Sequence, residues 1–311
     1  NTPLVRLNSV TDGLKLTVAA KVEYLNPGQS VKDRIALKMI DDAEEQGLIR
    51  PGDTLIEATA GNTGVGLALV ARQKGYGLTI VMPDKMSVEK KYCLESMGAE
   101  VIMTRSDVTK GHPEYYQDQA RSLARESGAF YINQFANTAN RRAHYATTGP
   151  EIWEQMDGRI DAFVCGVGTG GTLSGAGGYL KEKNPDIDII LADPQGSILA
   201  PLVNTGSAPQ SIGSWYIEGI GEDFVPDICN LDLVRRAYSI PDRESFAAAR
   251  NLLLQEGVMA GSSAGTLTAA AIKYCLEQKT PKRVVTFACD TGNRYLSKLY
   301  NDAWLDQHIT E

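Results

Sequence analysis

Lys32 follows the turn-forming segment 26–30 and precedes an apolar, helix-prone run that begins at Asp33. In the first turn of a helix a lysine lies at the positive end of the helix dipole, and with Arg34 close by this environment favours the neutral amine. The neutral amine is the form that condenses with an aldehyde. Taken alone, the segment is more often an exposed lysine at a helix start. Two further motifs decide between these interpretations.

A glycine-rich segment lies between a predicted strand at 161–165 and a predicted helix that starts at Leu173. Its residues are Gly166, Val167, Gly168, Thr169, Gly170, Gly171 and Thr172. Successive glycines let main-chain N–H groups converge on an anion, the helix dipole adds a favourable field, and the two threonine hydroxyls can donate further hydrogen bonds. With a strand before it and a helix after it, the segment predicts a phosphate site rather than a plain turn.

The same glycines also satisfy the dinucleotide pattern G-x-G-x-x-G through Gly166, Gly168 and Gly171. Asp193 closes the next predicted strand, about where an acid that binds a ribose would lie. A nicotinamide-dependent dehydrogenase is therefore an alternative interpretation. It accounts for this part of the chain and leaves Lys32 and the next motif unexplained.

A third motif, Thr59 to Gly64, follows a predicted strand and precedes an apolar helix at 65–71. Its hydroxyls, the Asn62 amide and the exposed N–H groups of a helix N-terminus form a site that suits an α-carboxylate. Helix capping would explain Thr59 or Thr63 singly, but it explains the whole cluster less well. We therefore predict that an amino acid binds here through its carboxylate.

A serine hydrolase is a further alternative, because Gly261 to Gly265 matches G-x-S-x-G with Ser263 at its centre. We reject it on sequence grounds. His308, the histidine downstream, lies in a polar tail, and no H-G-G-G segment accompanies the serine.

Pyridoxal 5′-phosphate bound beside an amino acid requires three features: a lysine that reacts with its aldehyde, a site for one phosphate and a site for the carboxylate of the amino acid. The three motifs together provide them. Over nearly its whole length the chain resembles the fold-type II pyridoxal-phosphate enzymes. Within them it resembles the cystathionine β-synthases more closely than the O-acetylserine sulfhydrylases (cysteine synthases). Three segments favour the synthases: Lys85 to Lys90, Glu218 to Gly221, and Asp290-Thr291 followed by Arg294-Tyr295 and by Asn301 to Trp304.

The resemblance implies a role for each of these residues. Lys32 would carry the cofactor, Asn62 would hydrogen-bond the 3′-oxygen of its ring, and Thr291 would place a neutral hydroxyl against the pyridine nitrogen. The residues that would hold the phosphate are Gly168, Thr169, Gly170, Gly171 and Thr172. Those that would surround the substrate are Thr59, Ala60, Asn62, Thr63, Gln134 and Gly219.

The implied reaction is β-replacement, in which serine or O-acetylserine condenses with homocysteine to give cystathionine; hydrogen sulfide release from cysteine is also expected. Two departures from the family pattern bear on the donor. Ala60 replaces a serine in the carboxylate loop, and Phe135 stands where synthases that use serine commonly have tyrosine. Because a phenyl ring cannot hydrogen-bond a leaving hydroxide, O-acetylserine stays open as donor and cysteine synthase as the alternative activity. A non-catalytic amino-acid sensor is less compatible with an intact Lys32.

The 311 residues suit one large or two medium domains. A formal charge of −7 spread without long runs argues against nucleic acid and anionic membranes as partners and for small-molecule amino-acid substrates. Five scattered cysteines and three scattered histidines predict reduced thiols, a cytoplasmic location and no metal site. The chain has no segment typical of a signal peptide or a membrane span, and the family resemblance implies a homodimer or higher homo-oligomer.

The apolar pattern predicts an α/β fold with mostly parallel sheets and helices on both faces, arranged as two three-layer domains. The predicted domains are a smaller one at 35–145 and a larger one at 1–34 plus 146–311, with the cofactor between them. Ligands of such sheets collect at the carboxyl ends of the strands. The predicted strands are 16–22, 54–57, 78–82, 101–104, 162–166, 187–192 and 284–288.

Overall fold

The computed structural model describes residues 1–14, 16–59, 61–84, 88–108 and 111–309. Its strands are β1 (Leu4–Leu7), β2 (Thr17–Val22), β3 (Thr54–Ala58), β4 (Gly77–Pro83), β5 (Glu100–Thr104), β6 (Phe130–Tyr131), β7 (Ala162–Cys165), β8 (Asp188–Pro194), β9 (Val234–Ile240) and β10 (Arg283–Ala288). Its α-helices are α1 (Lys32–Glu45), α2 (Asn62–Lys74), α3 (Val88–Ser96), α4 (Tyr116–Ser127), α5 (Thr138–Ala143), α6 (Gly149–Gln155), α7 (Gly171–Lys183), α8 (Leu199–Thr205), α9 (Asp242–Glu256), α10 (Ser262–Leu276) and α11 (Asp302–His308).

The chain divides into two compact units, one of Asn1–Ser30 with Arg141–Glu311 and the other of Val31–Asn140. We call them the large and the small unit. The predicted α/β fold with mostly parallel sheets is confirmed, whereas the domain boundaries at 35–145 stay a prediction. No helix in the described part of the chain combines the length and hydropathy needed to span a bilayer.

The small unit contains a four-stranded parallel sheet in the order β5-β4-β3-β6. Apolar side chains of this sheet pack against α4, where Ile56, Ala58 and Val81 meet Ala120 and Ala124. Because the strands are parallel, the connection from β3 to α2 leaves the sheet at its carboxyl edge. That connection carries the predicted carboxylate motif.

The large unit contains a six-stranded sheet in the order β1-β2-β10-β7-β8-β9, in which only the β1–β2 pair among these strands is antiparallel. Every residue of β7 is buried, which is typical of a parallel strand covered on both faces. Phe163 and Phe287 meet edge to face across the β7–β10 pair, with ring centroids 5.6 Å apart. The predicted phosphate loop leaves this sheet at the carboxyl end of β7.

Candidate functional site

The glycine loop of the large unit has a backbone that side chains would obstruct. Gly170 has a φ of +83°, in the left-handed region that favours glycine, and a Cβ there would lie 2.8 Å from the Cα of Cys229. A Cβ on Gly168 would overlap the carbonyl oxygen of Gly219. Glycine at each of these positions therefore lets the loop pack closely against the segments that carry Gly219 and Cys229.

Hydrogen-bond donors converge where this loop enters α7. The helix begins at Gly171, so its first N–H groups have no carbonyl partner within the helix. The Thr169 side chain is buried, and the Thr172 hydroxyl lies 3.2 Å from His144 Nε2, whose Nδ1 lies 2.9 Å from Thr148 Oγ1. A helix N-terminus that presents backbone and hydroxyl donors has the chemistry of a phosphate site.

Two other predicted residues of the large unit connect to this loop. Gly219 contacts Gly168 as described, and the neighbouring Glu218 N–H donates to the Ser262 hydroxyl at 3.1 Å. Thr291, which follows β10, is 6 % exposed and forms a bridge with Ala260. Its hydroxyl oxygen accepts the Asn293 N–H at 3.3 Å, so its proton is left for a further acceptor.

In the small unit, the carboxylate motif forms the start of α2. The helix begins at Asn62, the Thr59 N–H donates to Val81 O at 3.1 Å, and the Gly61 N–H donates to the Thr59 hydroxyl at 3.2 Å. Thr63 is 2 % exposed, and its hydroxyl donates to Gln134 Oε1 at 2.6 Å. The structure thus joins Gln134 to the motif. Ala60 and residues 85–87 lie outside the described residues.

Lys32 lies close to that motif in the same unit. It is the first residue of α1, and its side chain is half-buried. A Cβ on Gly66 of α2 would lie 3.0 Å from the Ala36 Cβ and 3.2 Å from the Lys32 carbonyl oxygen. The first turn of α1 therefore packs against the first turns of α2, which brings the predicted lysine beside the helix that begins with the carboxylate motif.

Sequence reasoning missed Glu57, which the structure connects to this site. Glu57 is the fourth residue of β3 and is fully buried, and its Oε2 accepts the Gln134 N–H at 3.3 Å. Burial raises the pKa of this carboxyl to about 8, an effect that hydrogen bonds from Gln134 and Asn133 partly oppose. A glutamate in an otherwise apolar strand, two residues before Thr59, is the sequence signal that could have identified it.

The structure places the key residues of the dehydrogenase and serine hydrolase interpretations where they cannot serve those functions. Asp193 is fully buried and its Oδ2 accepts the Ala200 N–H at 2.8 Å, so it faces α8 rather than a ribose. Ser263 lies buried in the first turn of α10, and a Cβ on Gly265 would overlap the Ser245 carbonyl oxygen. Gly265 therefore serves the packing of α9 on α10. His308 stacks on Trp304 with ring centroids 4.5 Å apart.

Asp193 also predicts a pH effect on stability. Burial raises the pKa of its carboxyl from 3.8 to about 6, so the protonated form is favoured in the folded state. The associated stability is fully present below pH 3.8 and is lost as the pH rises through 6, by about 2 to 3 kcal/mol. We expect D193N to remove this loss from the free energy of unfolding, measured by urea denaturation between pH 4 and 8. Equal pH slopes for both proteins would contradict it.

Comparison with known proteins decides the family. Residues 1–290 match the family described as "Pyridoxal-phosphate dependent enzyme". The chain belongs to this family. Cystathionine β-synthase from Apis mellifera is 43% identical over 308 residues, 98% of this chain and 60% of that protein. Cysteine synthase 1 from Neurospora crassa is 44% identical over 313 residues, 99% of this chain and 83% of that protein.

A solved structure supports the fold at similar coverage. A hydrogen sulfide-producing enzyme from Fusobacterium nucleatum has a TM-score of 0.87 and 37% identity, over 95% of this chain and 97% of its own. This chain spans about 60% of the Apis mellifera synthase. The predicted cofactor, pyridoxal phosphate, the fold-type II architecture and the resemblance to cystathionine β-synthases are confirmed.

The residues present fit pyridoxal phosphate. The start of α7 offers N–H and hydroxyl donors beside Gly170 and Gly171, which carry no side chains, and Thr291 offers a neutral hydroxyl. Lys32, the first residue of α1, carries an amine of the kind that condenses with an aldehyde.

Proposed function

We propose that the chain catalyses pyridoxal phosphate-dependent β-replacement, in which L-serine or O-acetylserine condenses with homocysteine to give cystathionine. The observation that carries the proposal is the buried cluster of Thr59, Thr63 and Gln134 at the start of α2, in a chain of this family. Such a cluster suits the carboxylate of an amino acid. The names of the relatives, cystathionine β-synthase and cysteine synthase, agree with an amino-acid donor.

Residues of the large unit would hold the cofactor through its phosphate and its ring. The loop Gly168, Thr169, Gly170, Gly171 and Thr172 would bind the phosphate, and the Thr291 hydroxyl would face the ring nitrogen. When bound, pyridoxal phosphate supplies an electron sink that stabilises negative charge at the substrate Cα. A neutral hydroxyl leaves the ring nitrogen largely unprotonated, which favours elimination of the β-substituent over transamination.

Residues of the small unit would bind the substrate and move its proton. Lys32 Nζ would hold the cofactor covalently and, once released by the substrate amine, would accept the Cα proton. Thr59, Thr63 and Gln134, together with Ala60, would surround the carboxylate. Asn62 would hydrogen-bond the 3′-oxygen of the ring. Gly219, from the large unit, is proposed as a further substrate contact.

A second candidate activity, cysteine synthase, is favoured by one residue. Phe135 follows Gln134 and its half-buried ring cannot hydrogen-bond a leaving hydroxide, whereas acetate leaves without such help. O-acetylserine with sulfide would then give cysteine. In hydrogen sulfide release the donor is cysteine, and its thiol group is the β-substituent that leaves. The name of the Fusobacterium nucleatum enzyme agrees with this activity.

We also propose that the substrates are small amino acids, that the chain forms a homodimer or higher homo-oligomer, and that it works in the cytoplasm. The five cysteines support the location, because they are free thiols, as expected in a reducing compartment.

Product analysis of the holoenzyme tests the choice of donor and acceptor. We expect cystathionine from homocysteine with either donor, and a higher kcat/KM with O-acetylserine than with serine. Phe135→Tyr should raise kcat/KM for serine about fivefold relative to O-acetylserine, since one hydrogen bond to the leaving group is worth about 1 kcal/mol. Mass spectrometry distinguishes the products. If homocysteine gives no cystathionine while sulfide gives cysteine, the chain is a cysteine synthase.

A further inference from the structure

Glu57 is a buried carboxyl group whose two oxygens have different surroundings. Its Oε2 accepts the Gln134 N–H at 3.3 Å, while its Oε1 has no hydrogen-bond partner among the described residues. The side chain is fully buried in β3, two residues before Thr59. A buried acceptor that is left unsatisfied is costly, and a proton on Oε1 would turn it into a donor that requires an acceptor nearby.

The side-chain amide of Gln134 offers such an acceptor, because it hydrogen-bonds the Glu57 carboxyl and the Thr63 hydroxyl and so links Glu57 to the carboxylate site. Gln134 Oε1 accepts a hydrogen bond from the Thr63 hydroxyl at 2.6 Å. The same side chain also hydrogen-bonds the Glu57 carboxyl, and this bond favours the ionised form of Glu57. The Gln134 carbonyl oxygen accepts from Asn140 Nδ2 at 2.9 Å, so its main chain is held at both ends. The side-chain amide is therefore the part of Gln134 that can rotate so that its oxygen and its N–H₂ exchange places.

The arrangement of these groups has a consequence for Thr63. A hydroxyl carries one proton, and Thr63 donates it to Gln134. In this state Thr63 cannot also donate to the carboxylate of a substrate. If the Gln134 amide turned over, its N–H₂ would donate to Thr63 Oγ1 and the hydroxyl proton would be released.

We propose that Glu57 is a positioning residue which, when it carries a proton, donates it to Gln134 Oε1 and so turns the amide over and frees the Thr63 hydroxyl for the substrate carboxylate. The proposal rests on the proposed function, because it assumes that a carboxylate binds at Thr63. The proton balance is simple: one proton passes from solvent to Glu57 Oε1, and no covalent bond to another atom forms or breaks. Ionised Glu57 instead accepts from the Gln134 side-chain N–H₂ and turns the amide back.

The titration of Glu57 falls in a range that experiments can reach. Burial raises its pKa to about 8. The titratable side chain of a neighbouring strand that senses the Glu57 charge is Tyr131, whose pKa burial raises well above its ordinary value, so it stays neutral throughout. The neutral, binding-competent form of Glu57 is therefore lost as the pH rises through about 8, and substrate affinity falls with it.

The test is calorimetric binding of L-alanine, which has the amino acid carboxylate but no β-leaving group, to the holoenzyme at pH 7 and pH 9. If only the neutral form binds, about one tenth of the wild-type protein is competent at pH 9 and the apparent Kd rises about tenfold. Binding at pH 9 should also take up about 0.9 proton, measured in two buffers with different ionisation enthalpies. Glu57→Gln can donate permanently to Gln134 Oε1, so the variant should show neither effect beyond the titration of alanine itself.

Two further variants make the result specific. Asp193→Asn removes another buried carboxyl with a raised pKa, in the large unit, and should keep the wild-type proton uptake. Thr63→Val removes the hydroxyl that the rotation of the Gln134 amide would free. The variant should therefore bind L-alanine more weakly than the wild type, and its affinity should not depend on pH. It serves as the test even if Glu57→Gln does not fold.

Equal proton uptake in wild type, Glu57→Gln and Thr63→Val would overturn the inference and leave the proposed function standing. Failure of the folded, cofactor-loaded wild-type protein to bind L-alanine at either pH would overturn the carboxylate site itself. The proposed function and the inference would then fall together.

Discussion

Lys32→Ala should abolish β-replacement, with kcat lowered at least about a thousandfold. The substitution removes both the amine that would hold the cofactor and the base that would accept the Cα proton. The fold should survive, because Lys32 is the first residue of α1 and alanine has the highest helix propensity. Initial rates with O-acetylserine and homocysteine, together with Tm, measure the two effects separately.

Lys38→Ala is the matched control on the same helix. Lys38 Nζ lies 3.6 Å from Glu45 Oε2, and both side chains are partly or largely exposed. This ion pair therefore contributes little to the free energy of unfolding. The control should keep the wild-type kcat. A Lys32→Ala protein that turns over at the wild-type rate would show that this lysine does not carry the chemistry, and the phosphate and carboxylate sites would then need another interpretation.

The sequence pattern identified every central strand and one edge strand, β5, and it missed the three other edge strands. All seven predicted strands are present with ends shifted by at most two residues, because each is a short, largely apolar run. Six of them are buried along most of their length, whereas β5 is only partly buried. The missed strands β1, β6 and β9 are each the outermost strand of a sheet. β9 contains Arg235 and Arg236 on its exposed positions, so it lacks the continuous apolar pattern on which the prediction depended.

The site shows the same division between local and distant information. Turn and helix-start patterns, which depend on residues adjacent in the sequence, predicted Lys32, Thr59 to Gly64 and Gly168 to Thr172. Gln134 is 71 residues from Thr63, and only the family resemblance pointed to it. Glu57 was missed because a polar residue within a strand usually faces solvent; its burial depends on packing that no local pattern records.

The glycine loop provides the second large effect, which separates cofactor binding from fold stability. In Gly168→Ala the new Cβ would overlap the Gly219 carbonyl oxygen, and two backbone segments cannot move apart as a flexible side chain could. Overpacking of this kind costs about 1 to 3 kcal/mol. Because the displaced atoms line the proposed phosphate site, we expect the Kd of pyridoxal phosphate to rise about 10- to 100-fold, measured by titrating the apoprotein and following absorbance.

Gly178→Ala makes the same chemical change in the helix that follows the loop, where a Cβ would have nothing within 4 Å. Glycine inside a helix is less favourable than alanine by about 0.5 to 1 kcal/mol, so this variant should be slightly more stable and should bind the cofactor with the wild-type Kd. If both variants kept the wild-type Kd, the loop would not be the phosphate site. If Gly168→Ala lowered Tm without changing Kd, the close contact with Gly219 would serve packing alone. Weaker binding confined to Gly168→Ala would support the loop as the phosphate site, because the matched change at Gly178 alters the helix that follows the loop without disturbing the loop.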